Sequence, residues 1–206
     1  MQGNGGHGSI PDSSKDPIAV AAEIVTALQT WLTRRIDIFD PAVITVGTFH
    51  AGTRRNIIPA NATFEATVRS FSAATSQRLA EELPRLCRGI AEAYGLTADV
   101  RYELEYPATI NAPAETAFAQ RVIVDVFGAE RLAPMPFPDA GSEDFSRVLD
   151  EVPGCYLFLG ACTTADVDNA PTNHSPLARF DDAVLVDGVL LHSELAIRAL
   201  KLPVSS

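Results

Sequence analysis

The chain has 206 residues, of which 47% are hydrophobic and 20% charged, and its formal net charge is −10 at pH 7. This composition is typical of a folded globular protein and excludes disorder as its general state. The acidic charge argues against nucleic acid and an anionic membrane surface as partners, because both would repel the chain. We therefore expect a small molecule or another protein as the partner.

The sequence contains three cysteines and no C-x-x-C pair, which is too little for a disulfide framework or a zinc knuckle. No apolar run approaches the ~18 residues that a membrane helix needs. The amino terminus lacks the basic and apolar stretches of a signal peptide. These features predict a cytoplasmic protein that has no membrane partner.

The first predicted elements are a helix and two strands. The helix begins with Asp16 as its N-cap and Pro17 at its first position, followed by apolar residues on one face. Residues 43–49 and 62–71 are rich in β-branched and aromatic side chains and predict two strands around a turn.

A second helix and a third strand follow. Ser72 is a candidate helix cap and Gly95 a candidate stop, while Pro84 should kink or divide the helix. Residues 100–106 alternate apolar and polar side chains, which predicts a half-buried strand. The order α-β-β-α-β is that of a ferredoxin-like sandwich without its first strand. That central strand is expected before Gly3, so either the chain is cut from a longer one or another segment fills the gap.

The pattern changes after residue 107, and we place a domain boundary near residue 108. A helix ending at Gly128 is predicted first, then a proline-rich loop that leads into a short helix. Residues 155–160 predict a brief buried strand. A terminal helix follows, with Asp181 or Asp182 at its cap.

The most unusual candidate residue is His7, which follows Gly5 and Gly6 and precedes Gly8. Glycines on both sides allow the backbone to approach another surface closely or to adopt positive φ. The alternative is a mobile linker.

Asn56 and Arg69 are candidate substrate-binding residues near the two predicted strands. Asn56 could donate to a carbonyl oxygen, and Arg69 could bind a carboxylate through two parallel hydrogen bonds. Taken singly, a turn asparagine and a surface salt bridge are the favoured interpretations.

His174 lies in a predicted loop between a strand and a helix, where it could bind a metal or transfer a proton. A surface histidine bonded to a carboxylate is the equally weighted alternative. His50 and His192 are discounted, the first as the end of a strand and the second as a core or boundary residue.

Ser142 and Glu143 precede the short predicted helix. A capping arrangement is favoured, with Ser142 accepting from the first-turn amides and the acids complementing the helix dipole. The alternative is that the amides of Gly141 and Ser142 hold an anionic substrate group.

Four stretches in the same order resemble one known family. They are "GNGGHGSIPDSSKDPI", "HAGTRRNIIPANATFEATVRSF", "AGSEDFSRVLDEVPGCYLFLG" and "NHSPLARFDDAVLVDG". Together they are similar to the carboxy-terminal half of the metal-dependent aminoacylase and carboxypeptidase family of amidohydrolases, in particular its hippurate-hydrolase and auxin-conjugate-hydrolase branch.

The resemblance implies an α/β protein made of two parts. Residues 1–107 would form a ferredoxin-like β-α-β-β-α-β lid that lacks most of its first strand and makes a homodimer. Residues 108–206 would form the carboxy-terminal part of an α/β metallopeptidase-like catalytic domain.

The resemblance also implies roles for the candidate residues. His7 and Asn56 would reach into the partner's site to stabilise the oxyanion, and Arg69 would bind the substrate carboxylate. Ser142 and Glu143 would lie near the substrate, and His174 would bind a metal.

The implied reaction is metal-assisted hydrolysis of an N-acyl amino acid or small peptide, with two divalent ions of zinc, manganese, cobalt or nickel. The family's other ligands precede the lid, so this chain is expected to bind the ions weakly and to be inactive alone. The alternative is a non-catalytic dimerisation or binding module.

Overall fold

The computed structural model describes residues 1–201 of the chain, without the side chain of Lys201. The chain forms two compact units. The first comprises Met1–Ala108 and Asp139–Asp144, and the second comprises Thr109–Pro138 with the residues from Phe145 onward. Helices combine with small sheets, which confirms the predicted α/β class.

Helix α1 spans Pro17–Arg35 and agrees with the predicted helix. The Asp16 carboxylate accepts a hydrogen bond from the Ile18 amide at 2.8 Å, so one of the unpaired amides of the first turn is satisfied.

Helix α2 spans Ala73–Ala93, and its N-cap Ser72 accepts from the Thr75 amide at 3.1 Å. Gly95 adopts a φ of +69° directly after the helix, a conformation that glycine adopts without steric cost. Pro84 is buried within the helix, which continues past it. The predicted cap and stop are therefore confirmed, but Pro84 does not divide the helix.

Four strands form two antiparallel pairs: β1 (Gly6–His7) with β3 (Ile57–Ile58), and β2 (Ala42–Ala51) with β4 (Ala62–Ser70). Strands β2 and β4 are the two long strands that the sequence predicted. Their register shifts by one residue between Val46 and Thr48.

The core of the first unit lies between α1, α2 and one face of the β2–β4 pair. Its buried members are Val20, Ile24, Leu28, Ile44, Leu79, Leu83, Cys87, Ala91 and Leu96.

The connection between α1 and β2 is hydrogen-bonded to the start of α2. The hydroxyls of Ser72 and Thr75 donate to the Asp40 carboxylate at 2.5 and 2.6 Å. These bonds favour the charged form and hold the pKa of Asp40 below its usual value, the Ser72 bond contributing most.

Residues 1–3 lie between two other extended segments of the first unit. The amide of Gln2 donates to the Thr97 carbonyl at 2.7 Å and its carbonyl accepts from the Thr97 amide at 3.2 Å. On the other side, the Met1 carbonyl accepts from the Ala62 amide at 3.2 Å. These residues therefore lie between the start of β4 and the segment after α2, the place expected for the central strand.

The strand predicted over residues 100–106 does not form. Ala98, Val100 and Tyr102 still pack against the core while the residues between them are exposed, so the alternation of burial is present. The ladder with Gln2 ends at Thr97, and no other segment among residues 1–201 pairs with the following residues. Because no neighbouring strand forms a ladder with residues 100–106 in the described part of the chain, the segment is not a strand.

The second unit contains helices α3 (Pro113–Phe127), α4 (Ser146–Glu151) and α5 (Val184–Lys201), which agree with the three predicted there. Gly128 follows α3 with a φ of +95°. The Asp181 carboxylate accepts from the Ala183 amide at 2.9 Å in the turn before α5. Helices α3 and α5 are joined by an ion pair of 2.8 Å between Asp125 and Arg198. Within residues 1–201 no helix is both long and apolar enough to span a membrane.

The buried strand predicted over residues 155–160 is also wrong. The Asn111 side chain bonds to both the amide and the carbonyl of Tyr156, at 2.8 and 2.9 Å, in place of a strand neighbour. Phe158 is 66% exposed, and no strand lies beside this segment in the described part of the second unit. A side chain can satisfy one residue's backbone but cannot continue a ladder.

Candidate functional site

His7 lies in a paired strand. Gly6 is opposite Ile58 and His7 is opposite Ile57, and the Gly8 amide donates to the Asn56 carbonyl at 2.9 Å. The mobile-linker interpretation is therefore wrong. This pairing brings the backbones of His7 and Asn56, two of the predicted site residues, into neighbouring segments.

The glycines beside His7 allow this close approach. A Cβ atom on Gly5 would lie 2.9 Å from the Ile58 carbonyl oxygen, and one on Gly8 would lie 3.3 Å from the Asn56 carbonyl oxygen. Neither glycine has a positive φ. The space between the two segments, and not an unusual backbone conformation, therefore favours glycine at position 5 and leaves little room for a side chain at position 8.

The ring of His7 is in contact with Ser9. The Nδ1 atom accepts from the Ser9 amide at 3.2 Å and lies 2.8 Å from the Ser9 hydroxyl oxygen. Ser9 is not among the candidate residues predicted from the sequence, although a hydroxyl two residues after a histidine can reach the ring from a turn.

Asn56 ends a turn in which the Ile57 amide donates to the Arg54 carbonyl at 3.2 Å. Its carbonyl receives the Gly8 amide, and the residue is exposed. The interpretation as a turn asparagine is correct, and the turn leaves the side-chain amide at the surface as a donor.

Arg69 lies on β4 opposite Val43 and is half-buried. The neighbouring pair, Ile44 and Val68, packs against the core, so Arg69 belongs to the opposite face of the strand pair. Its guanidinium donates to the Val68 carbonyl at 3.1 Å and makes no ion pair with a carboxylate within residues 1–201. The salt-bridge alternative is therefore wrong.

Ser142 does not cap the short helix. Helix α4 begins at Ser146, one turn later than the capping interpretation requires. The Gly141 amide donates to the Asp139 carboxylate at 2.5 Å and is therefore already occupied. Ser142 is exposed and Glu143 is half-buried.

His174 lies in the second unit, in a turn where the Ser175 amide donates to the Thr172 carbonyl at 2.8 Å. It is exposed and makes no hydrogen bond to a carboxylate among the described residues. His192 is likewise exposed, on α5 instead of in a core or boundary position.

The described residues do not fit a catalytic metal ion. Among residues 1–201 no three His, Cys, Asp or Glu side chains lie close enough together to bind one. A catalytic zinc normally has three protein ligands. His174 could supply one ligand, and the described part of the chain does not complete the set.

The chain is similar in sequence to a known family of proteins. Residues 1–95 match the family described as the peptidase dimerisation domain. The chain is 35% identical to thermostable carboxypeptidase 2 of Saccharolobus solfataricus, over 96% of this chain and 49% of that protein. It is 32% identical to hippurate hydrolase of Campylobacter jejuni, over 97% and 50% respectively. The chain thus spans about half the length of the curated relatives that it matches.

A solved structure from Bacillus subtilis, described as a dinuclear metal binding peptidase of the M20 family, also matches. It has a TM-score of 0.70 and 26% identity, and the match covers 90% of this chain and 47% of that one. The fold and the predicted family resemblance are thereby confirmed.

We predict that Gly5→Ala destabilises the first unit, because its methyl group would meet the Ile58 carbonyl oxygen. The expected loss in the free energy of unfolding is ~1–3 kcal/mol, the usual cost of overpacking. Urea denaturation followed by circular dichroism measures it.

Gly47→Ala is the matched control, because nothing lies within 4 Å of a Cβ atom at that position. It should change stability by less than about 0.5 kcal/mol. Equal effects of the two substitutions would contradict the close approach of β1 to β3.

Proposed function

Because the chain belongs to the M20 family of peptidases and amidohydrolases over the half of their length that it spans, we propose that it acts as the carboxy-terminal half of a hydrolase. This hydrolase cleaves the amide bond of N-acyl amino acids or small peptides. Residues 1–107 are its lid and dimerisation domain, and residues 108–206 belong to its catalytic domain. The pairing of β1 with β3, which holds His7 beside the turn of Asn56, is the observation that carries the proposal.

His7 and Asn56 stabilise the oxyanion. A neutral imidazole and a side-chain amide both present N–H donors, and donors fixed in place before the reaction lower the barrier as charge develops on the substrate oxygen. The backbone bond between Gly8 and Asn56 supports such fixed placement. Both residues act in the site of the partner protomer.

Arg69 binds the free carboxylate of the substrate. The residue is half-buried and its guanidinium makes no ion pair with a carboxylate in the described part of the chain, so its charge is available to a ligand. A guanidinium can form two parallel bonds to a carboxylate, which fixes the orientation of the substrate. Ser142 and Glu143 are further substrate contacts.

His174 contributes one ligand to a site for two divalent ions of zinc, manganese, cobalt or nickel. The donor set within residues 1–201 is incomplete, so this chain alone binds the ions weakly and does not turn over substrate. The exposed apolar side chains of Leu185, Val186 and Val189 on α5 support the view that the second unit is part of a larger domain. The three free thiols favour the cytoplasm.

The second candidate function is a non-catalytic dimerisation or binding module. It is favoured by the match of residues 1–95 to a dimerisation domain and by the incomplete set of metal ligands in the described residues.

An assay of hydrolysis tests whether the chain needs further ligands. We expect no release of glycine from hippurate, and none of the amino acid from N-acetyl amino acids, with the purified chain and Mn²⁺ or Zn²⁺. Steady turnover with two tightly bound ions per chain would contradict inactivity of the chain alone. A second assay uses a fusion of this chain to the amino-terminal half of a relative. Turnover of substrate by this fusion would favour the hydrolase over the non-catalytic module.

In such an enzyme, His7→Ala should lower kcat by about a hundredfold or more, which is the usual cost of losing one oxyanion donor. His50→Ala is the matched control, because His50 is also an exposed histidine of the first unit but lies on β2. A comparable loss in both variants would show that His7 has no special role.

We also propose that the chain forms a homodimer through its first unit. Strand β2 has only β4 as its neighbour among residues 1–201, so its other edge carries unpaired backbone groups that can associate. Sedimentation equilibrium should give twice the chain mass of 22.0 kDa. A monomer at all micromolar concentrations would argue against this assembly.

A further inference from the structure

We infer that Ser9 is a positioning residue that holds the His7 ring in the tautomer with its proton on Nε2. The evidence is the pair of contacts from Ser9 to a single ring nitrogen. The amide of Ser9 lies 3.2 Å from Nδ1 of His7, and its hydroxyl oxygen lies 2.8 Å from the same atom.

The amide contact determines the tautomer. A backbone N–H can donate but cannot accept, and a neutral imidazole has one donor nitrogen and one acceptor nitrogen. If Nδ1 carried the proton, two N–H groups would face each other. Nδ1 is therefore the acceptor and Nε2 is the donor. The Ser9 hydroxyl, which can rotate to donate or accept, adds a second donor to Nδ1 in this tautomer.

The turn that carries Ser9 is fixed on both sides. The Gly8 amide is bonded to the Asn56 carbonyl at 2.9 Å, and the Ile10 amide donates to the His7 carbonyl at 2.9 Å. Ser9 lies between these two bonds, so its amide and hydroxyl stay beside the ring. The position of Ser9 is therefore determined by the same strand pairing that places His7.

This arrangement leaves the second ring nitrogen of an exposed residue as a donor. The two nitrogens lie on different sides of the imidazole ring, so binding Nδ1 to Ser9 leaves Nε2–H open to a ligand. An oxyanion needs a donor at this point, and the other tautomer would present a lone pair to it instead. The catalytic use of this donor rests on the proposed function, whereas the tautomer itself does not.

Nuclear magnetic resonance of the full chain tests the inference. Long-range proton–nitrogen correlation spectra of the ¹⁵N-labelled protein at pH 8 report which ring nitrogen is protonated. The spectrum of a His7→Gln variant identifies the His7 signals. We expect an unprotonated Nδ1 and a protonated Nε2. In Ser9→Pro, which lacks the amide N–H, the tautomer ratio should shift about fivefold towards Nδ1–H, the effect of one ordinary hydrogen bond.

Two further variants separate this role from a general effect on the loop. Ser9→Ala removes the hydroxyl but retains the amide, and should keep the proton on Nε2. Ser13→Ala removes a hydroxyl of the same loop that bonds to the Ile10 carbonyl at 2.8 Å instead of to the ring, and should leave the His7 signals unchanged.

A proton on Nδ1 in the wild-type chain, or the same ratio in wild type and Ser9→Pro, would overturn the inference. The spectra need no turnover, so this result is independent of the hydrolysis assay. If the chain proves to be a non-catalytic module, the tautomer result stands and only its catalytic use is lost.

Discussion

The hydrogen bond between the Gly8 amide and the Asn56 carbonyl is the interaction on which the proposed site depends. It joins the first residues of the chain to the turn between two strands, and thereby places a ring donor and an amide donor on adjacent segments. The bond forms because Gly5 and Gly8 leave room for the two backbones to approach. The turn of Ser9, whose amide and hydroxyl contact the His7 ring, directly follows Gly8.

A second constraint, the availability of strand partners, explains which secondary-structure elements the sequence predicts correctly. Helices α1, α2, α3, α4 and α5 were predictable because their apolar patterns are local in sequence. The caps of α1 and α2 were predictable for the same reason, whereas the cap of α4 was not. The strands predicted over residues 100–106 and 155–160 show the right composition, but their backbone groups have no ladder partner in the described residues. A ladder depends on residues distant in sequence, which periodicity alone does not identify.

The candidate site was likewise predictable only in part. The glycines around His7 predicted a close approach of the backbone, and the structure has one. The predicted capping role of Ser142 is wrong because α4 starts one turn later. The contact of Ser9 with the His7 ring could not be predicted, because it depends on the conformation of a turn. Arg69 forms no ion pair with a carboxylate within residues 1–201. This could not be read from the sequence, because it depends on which face of β4 Arg69 occupies. The candidate residues could therefore be identified from the sequence, whereas the groups that they contact could not.

The central claim is that the segment around His7 is held against β3 and is not a flexible leader. Hydrogen exchange at the Gly8 amide of the wild-type chain measures this most directly, because that amide bonds to the Asn56 carbonyl across the pair. We expect exchange at least about tenfold slower than in an unfolded peptide. Exchange at the unfolded rate, while the amides of α1 remain protected, would contradict the claim.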